Sequence, residues 1–158
     1  MSLTERFHTN KELSVFHGQI PVNYKYTYGV AGENFFRALK DKGKLTASRC
    51  EKCGVTYLPA RIFCERCLGP LAKPFDVPHK GVVQTFTVCY KNMDGSDKDT
   101  PDILAAIKID GTDCALVHYL GVTPDEAFIG MRVEAVLKPA AKRQGSIFDI
   151  LHFKPVEK

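Results

Sequence analysis

Cys50-Glu51-Lys52-Cys53 and Cys64-Glu65-Arg66-Cys67 set two Cys-x-x-Cys pairs ten residues apart, and nothing else in the chain restricts its fold so tightly. Two short turns facing each other across that spacing bring four sulfurs to the corners of a tetrahedron, the arrangement zinc takes in closed structural sites. Gly54 and Gly69, which follow the two pairs, are expected to let the backbone turn back and aim its amides at the thiolates. The module is a minimal ribbon, with residues 56–62 read as its hairpin. It buries too little apolar surface to fold without its ion, whose binding supplies about 10–16 kcal/mol in comparable peptides. Four thiolates leave no position for water and none of the five histidines falls within the turns, so the ion reads as structural, not catalytic. Iron in an electron carrier shares this geometry, and the sequence leaves zinc and iron open.

The remaining residues bound the rest of the molecule. A chain of 158 residues, 44% hydrophobic and 25% charged, can bury one modest core plus a small satellite module. Nine prolines, twelve glycines and no tryptophan point to many short elements joined by turns. The start has no basic stretch leading into an apolar one, and no long apolar run follows, so a cytoplasmic protein without a membrane partner is expected. Reduced thiols in that compartment favour metal or redox chemistry over disulfides. The net charge of +4 suits a polyanionic ligand but is too small to mark a nucleic-acid protein.

The pattern divides the chain into an extended arm and helix (1–45), a zinc ribbon (46–76) and a β-barrel (77–158). In the arm, Val22, Tyr24, Tyr26 and Tyr28 alternate with other residues, which fits an extended segment packed on its own barrel or on a partner. Phe35, Phe36 and Leu39 share a helical face over 32–42, with Gly43 as the stop. From residue 81 the period becomes two. Strands are expected over 82–90, 103–109, 114–120, 131–137 and 147–153, with a polar loop at 91–102 and a hairpin turn at Asp110-Gly111. Five strands with a long connection between the third and fourth fit a Greek-key OB barrel better than a sandwich.

From the helix through the ribbon into the barrel, the chain resembles the DUF35 family, whose members join a rubredoxin-like zinc ribbon to an OB fold and associate with acyl-CoA enzymes. The residues carrying the resemblance are Phe36 to Leu39, Gly43-Lys44-Leu45, the four knuckle cysteines, and Pro59-Ala60-Arg61 where the family usually has Pro-Pro-Arg. Gly81-Val82-Val83, Phe86-Thr87, Pro101 and Ile129-Gly130-Met131-Arg132-Val133 continue it through the barrel. Ala60 departs from the family pattern, and the arm before residue 32 matches no motif. The resemblance implies a non-catalytic accessory subunit of a thiolase-type enzyme, in a hetero-oligomer with a thiolase-superfamily protein, sharing coenzyme A or acyl-CoA with that partner. One such role is in an aromatic acyl-CoA thiolase such as benzoylsuccinyl-CoA thiolase, and another is in a thiolase and hydroxymethylglutaryl-CoA synthase complex. The residues do not choose between them.

Coenzyme A needs basic side chains beside a groove. Lys138, Lys142 and Arg143, around a loop after the fourth strand, are the candidates for CoA binding, set against the reading of a solvated loop that keeps the protein soluble. Lys91, Asn92, His79 and Lys80 are weaker candidates, and Arg61 is expected to brace the ribbon against the barrel. Cys89 and Cys114 read as small buried residues. Four residues apart on a strand, Cys114 and His118 lie about 13 Å apart and make no dyad. No nucleophile, base and oxyanion hole assemble, so no independent catalysis is expected. The rival class is a single-stranded nucleic-acid binder, which would use Phe86, Phe148 and Phe153 as stacking platforms. It is disfavoured because burial suits those rings equally well and the cations are dispersed along the chain.

Overall fold

The computed structural model of the chain describes residue 18 and residues 24–156. Val22, the first residue of the expected aromatic alternation, lies outside them. Tyr24, Tyr26 and Tyr28 are exposed, and Tyr28 sets its ring edge-on to Phe36 at 5.5 Å between centroids.

Helix α1 spans Gly29–Arg37 and runs into one π-helical turn, Ala38–Lys42. It starts three residues before the expected boundary, a normal uncertainty for an end without a side-chain cap. Phe35 and Leu39 are fully buried and anchor the helix by its apolar face. Gly43 ends it in the left-handed region, at φ 62°, as a glycine C-cap does.

The ribbon is a small antiparallel sheet, β1 (Leu45–Arg49), β2 (Thr56–Tyr57) and β3 (Phe75–Val77), in the order β2-β1-β3. Its hairpin is therefore not 56–62. The first knuckle is itself the hairpin turn, with Ser48 opposite Tyr57 and Arg49 opposite Thr56. The chain beyond Tyr57 leaves the sheet and is held by Ser48, whose Oγ accepts from the Arg61 amide at 2.8 Å and donates to the Arg61 carbonyl at 3.1 Å. Strand alternation sends Leu45 and Ala47 into the main core, continuous with the helix and the barrel.

The barrel comprises β4 (Lys80–Lys91), β5 (Asp97–Ile109), β6 (Ala115–Tyr119), β7 (Arg132–Leu137) and β8 (Ile150–Pro155). The order is β6-β5-β4-β7-β8, and a parallel bridge from Leu120 to Phe153 joins the outer strands. This is the five-stranded OB arrangement expected from the sequence. Along β5, Ile103, Ala105, Ile107 and Ile109 are buried while Lys108 faces solvent, which is the period-two pattern of a half-buried strand.

Two strand boundaries differ from expectation. The polar loop shrinks to its tip, because β5 starts at Asp97 and pairs with β4 well before its apolar run begins. Backbone pairing and the ion pairs Lys91–Asp97 and Lys98–Asp102 hold this part of the hairpin, so hydropathy carries no trace of it. The last strand starts at Ile150, because Ile147–Asp149 forms a 3-10 turn capped by Ser146.

A reciprocal clasp joins ribbon and barrel. The Thr56 amide donates to Asp113 Oδ2 at 2.9 Å, and the Asp113 amide donates to the Thr56 carbonyl at 2.9 Å. Cys114, next in the chain, packs against both the barrel core and the ribbon's own small core.

Candidate functional site

The four knuckle cysteines meet. Their sulfurs all lie within 4.8 Å of one another, with Cys50 to Cys67 at 3.6 Å and Cys53 to Cys64 at 3.8 Å. A tetrahedron with metal–sulfur bonds of about 2.3 Å has edges of about 3.8 Å, so the spacing fits zinc. Each knuckle closes with a backbone bond, Gly54 N–H to the Cys50 carbonyl at 2.8 Å and Leu68 N–H to the Cys64 carbonyl at 2.9 Å. The amides of Cys53 and Arg66 point at the sulfurs of Cys50 and Cys64, both at 3.4 Å, supplying the polar support that thiolate charge requires. Gly54 takes the expected left-handed conformation at φ 72°, but in the second knuckle Leu68 takes it, at φ 58°, in place of Gly69.

The donor set has its own electrostatics. The Tyr57 hydroxyl, 3.3 Å from Cys64 Sγ, is the chief influence drawing that thiol down to about 6. The same bond pushes the Tyr57 phenol up to about 12, and because a metal-bound thiolate has no proton to give, Tyr57 is the donor when the ion is held. Cys53 is pushed up to about 12, first by its hydrogen bond with Cys67. As free thiols the four do not all ionise together near neutrality, and a divalent cation is what offsets the mutual repulsion of four thiolates. Tyr57 was not read as part of the site. Its full burial between the knuckles is a tertiary fact that the sequence signals only through its place beside them.

Arg61 stays within the ribbon, pairing with Glu65 at 2.6 Å and covering the Tyr57 ring at 4.9 Å. Both of these partners, the exposed Glu65 and the buried Tyr57, belong to the ribbon, so its side chain binds within the ribbon where a brace to the barrel was expected.

The basic residues of the 138–143 loop divide between two tasks. Lys138 and Lys142 line an open cleft of about 490 Å³ with Pro139, Gln144 and Leu151. Arg143 turns the other way. Its Nε donates to the Lys138 carbonyl at 2.8 Å, and its guanidinium lies where a Cβ on Gly43 would approach to 2.6 Å. Gly43 is thus required twice, for its left-handed φ and for the space that Arg143 occupies.

The loop is fixed from beneath by Asp149, which is fully buried. Its carboxylate accepts from the amides of Gln144, Gly145 and Ser146 at 2.7 to 3.3 Å. Burial works against the charge, but these amides outweigh it and hold the carboxyl below its usual range. The sequence reading places Asp149 inside a strand over 147–153, and only the 3-10 turn at Ile147–Asp149 shows its capping role.

The rejected Cys114–His118 dyad does not form. His118 is buried, with Nε2 facing the Ile147 carbonyl at 3.3 Å and Nδ1 accepting from the Tyr119 amide at 2.9 Å. Of the three rings a nucleic-acid surface would need, Phe153 is fully buried, Phe86 packs against the core and Phe148 is exposed. No helix among the described residues is long and apolar enough to cross a membrane.

Comparison with known proteins agrees with this architecture. Residues 37–71 match the ChsH2 rubredoxin-like zinc ribbon domain and residues 76–138 match the ChsH2 C-terminal OB-fold domain, together more than half of the chain. A DUF35 domain-containing scaffold protein of Methanocaldococcus jannaschii is 29% identical over 126 residues, covering 77% of this chain and 89% of the relative. A scaffold protein of the same description from Pyrococcus furiosus is 27% identical, covering 78% and 92%. Among solved structures, a DUF35-family protein from Sulfolobus solfataricus superposes with a TM-score of 0.62 at 24% identity, over 82% of this chain and 85% of the other. The Ltp2-ChsH2(DUF35) aldolase gives 0.60 at 21%, over 83% and 98%. With its four-cysteine ribbon joined to an OB barrel, the chain belongs to the DUF35 family.

Proposed function

We propose that this protein is a zinc-containing accessory subunit of a thiolase-type acyl-CoA enzyme, docking to that enzyme and helping to hold or cover its acyl-CoA. The observation that carries the reading is the likeness to DUF35 domain-containing scaffold proteins over nearly their whole length. A ChsH2 DUF35 chain that stands with Ltp2 in an aldolase adds weight to an enzyme partner. The zinc shell is consistent with a supporting role, since four thiolates complete a tetrahedral ion and leave it no position for substrate. In this reading the ion fixes ribbon and helix as a docking head, and the partner brings the nucleophile and the acid–base groups. The cleft at Lys138 and Lys142 lies beside the phosphates of CoA, while Arg143 holds the loop in shape. Covering the partner's channel excludes water around the thioester and strengthens the partner's electrostatics without a proton from this chain.

The test is affinity purification of the tagged chain from its native host under reductant, with the co-purifying proteins identified by mass spectrometry. A thiolase-superfamily protein in near-equal amount is the expected result. Recovery of nucleic acid alone, or of the chain alone, would overturn the partner assignment. Thiolysis by the purified chain at the rate of the complex would overturn its non-catalytic role.

A further inference from the structure

A second, smaller cleft of about 200 Å³ adjoins the lysine cleft and shares Gln144 with it. Its other walls are Tyr28, Phe36, Lys40, Asp41, Arg37 and Gly145. Tyr28 and Phe36 meet edge to face at 70° and make an aromatic corner, with Tyr28 63% exposed. Above it, the loop approaches the helix closely enough that a Cβ on Gly145 would lie 3.7 Å from Lys40 Cδ. Asp149 holds the Gln144 and Gly145 amides, so this wall is preorganised.

The chemistry of the walls is that of a base-and-phosphate ligand. An exposed aromatic face stacks a planar base, a glutamine side chain both donates and accepts along a base edge, and the Asp41 carboxylate accepts from an exocyclic amine. Of the cations, Arg37 pairs with Glu33 at 2.7 Å, whereas Lys40, Lys138 and Lys142 form no ion pair among the described residues. Lys40 lines the smaller cleft and Lys138 and Lys142 the larger one, where Pro139 and Leu151 add apolar surface.

We infer that the two clefts form one binding surface for the nucleotide end of coenzyme A, the adenine resting against Tyr28 and Phe36 and the phosphates against Lys40 and Lys142. This rests on the acyl-CoA reading above and adds the ring site, which involves α1 and its π-helical turn as well as the barrel.

The experiment is isothermal titration calorimetry of the full chain with CoA and, separately, with adenosine bisphosphate, which is the nucleotide end alone. Both are expected to bind and to compete. Tyr28→Ala is expected to weaken both by about tenfold or more, as loss of a stacking platform does, and Tyr28→Phe to restore binding. Lys40→Ala is expected to weaken both by a few fold, the loss shrinking with added salt. CoA binding unchanged in Tyr28→Ala and Lys40→Ala, or not competed by adenosine bisphosphate, would overturn the ring site and leave the acyl-CoA reading standing. Failure of CoA itself to bind the full chain would overturn the ring site and the CoA contact at Lys138 and Lys142, and leave the docking role to the purification.

Discussion

The ribbon and the barrel reach a folded state by different routes. The ribbon's own core contains three buried residues, Cys50, Tyr57 and Cys64, two of them metal ligands. The barrel buries Val83, Ile103, Ile107, Ile109, Val133, Ile150 and Phe153 in one continuous cluster that also takes in the helix and one face of β1. Apolar burial at roughly 25 cal/mol per Å² sustains the second. The first has almost none to spend, and a four-cysteine site suited to a metal stands where the core would be. The knuckles and the barrel thus owe their stability to different forces, although β1 lends Leu45 and Ala47 to the barrel's cluster and a clasp at Asp113 and Thr56 joins the two.

Removing the metal should separate them most sharply. Dialysis of the reduced protein against a strong chelator is expected to abolish amide protection in the two knuckles and β2 while the centre of β5 stays protected, a loss set by an ion worth about 10–16 kcal/mol to such modules. Hydrogen exchange reads both regions at once. Equal loss in both would mean that the barrel depends on the ribbon.

The converse break is Phe153→Ala, which opens a cavity beneath the strand that closes the barrel. It should cost about 3–5 kcal/mol in urea unfolding, with one zinc per chain retained in the folded fraction. Loss of zinc in step with the barrel would show that the clasp transmits more than the local packing implies.

A third test addresses the loop between the clefts. Asp149→Asn replaces a buried carboxylate that three amides hold, and should cost about 1.5–3 kcal/mol at neutral pH. Because the folded-state carboxyl titrates below its ordinary value, its contribution is fully present above the unfolded pKa of about 3.9 and is lost as pH falls through the lower folded value. The variant should therefore show a shallower decline of stability on the acid side. An equal decline in both proteins would assign that limb to other groups.

The smallest effect is expected at Leu68, a side chain in the left-handed region at φ 58°. Leu68→Gly should relieve about 1 kcal/mol of backbone cost and tighten zinc retention in a chelator competition. Weaker retention would mean that the Leu68 side chain supports the second knuckle in a way its exposure does not show.

How much of this was legible beforehand depends on how local the cause is. The helix, the turn at Asp110-Gly111 and the apolar runs of β5 and β7 come from periodicity and turn chemistry, which a single sequence displays. The outer part of the β4–β5 hairpin was read as loop because its residues are charged and its pairing is made by the backbone. The ribbon hairpin was misplaced because β1, the strand that pairs with β2, lies before the knuckle, and only strand register reveals that. At the basic loop, Lys138 and Lys142 do share a cleft, whereas Arg143 is drawn away by a glycine about a hundred residues earlier.

By itself, then, the sequence determined the four cysteines that come together as a site suited to a metal, the order of the modules and the barrel's strand-forming core, because each of these follows from spacing, periodicity or the chemistry of a few adjacent residues. Only the tertiary structure decided that Tyr57 would donate to Cys64, that Arg143 would fill the space over Gly43, that Asp149 would gather three amides, and that Tyr28 and Phe36 would stand beside the lysines. Arg143 reaches Gly43 across about a hundred residues, whereas the partners of Tyr57 and Asp149 lie within a few residues of them and meet only because of how the intervening turn folds. These contacts all depend on which faces the core leaves toward one another, and packing settles that for the whole molecule at once.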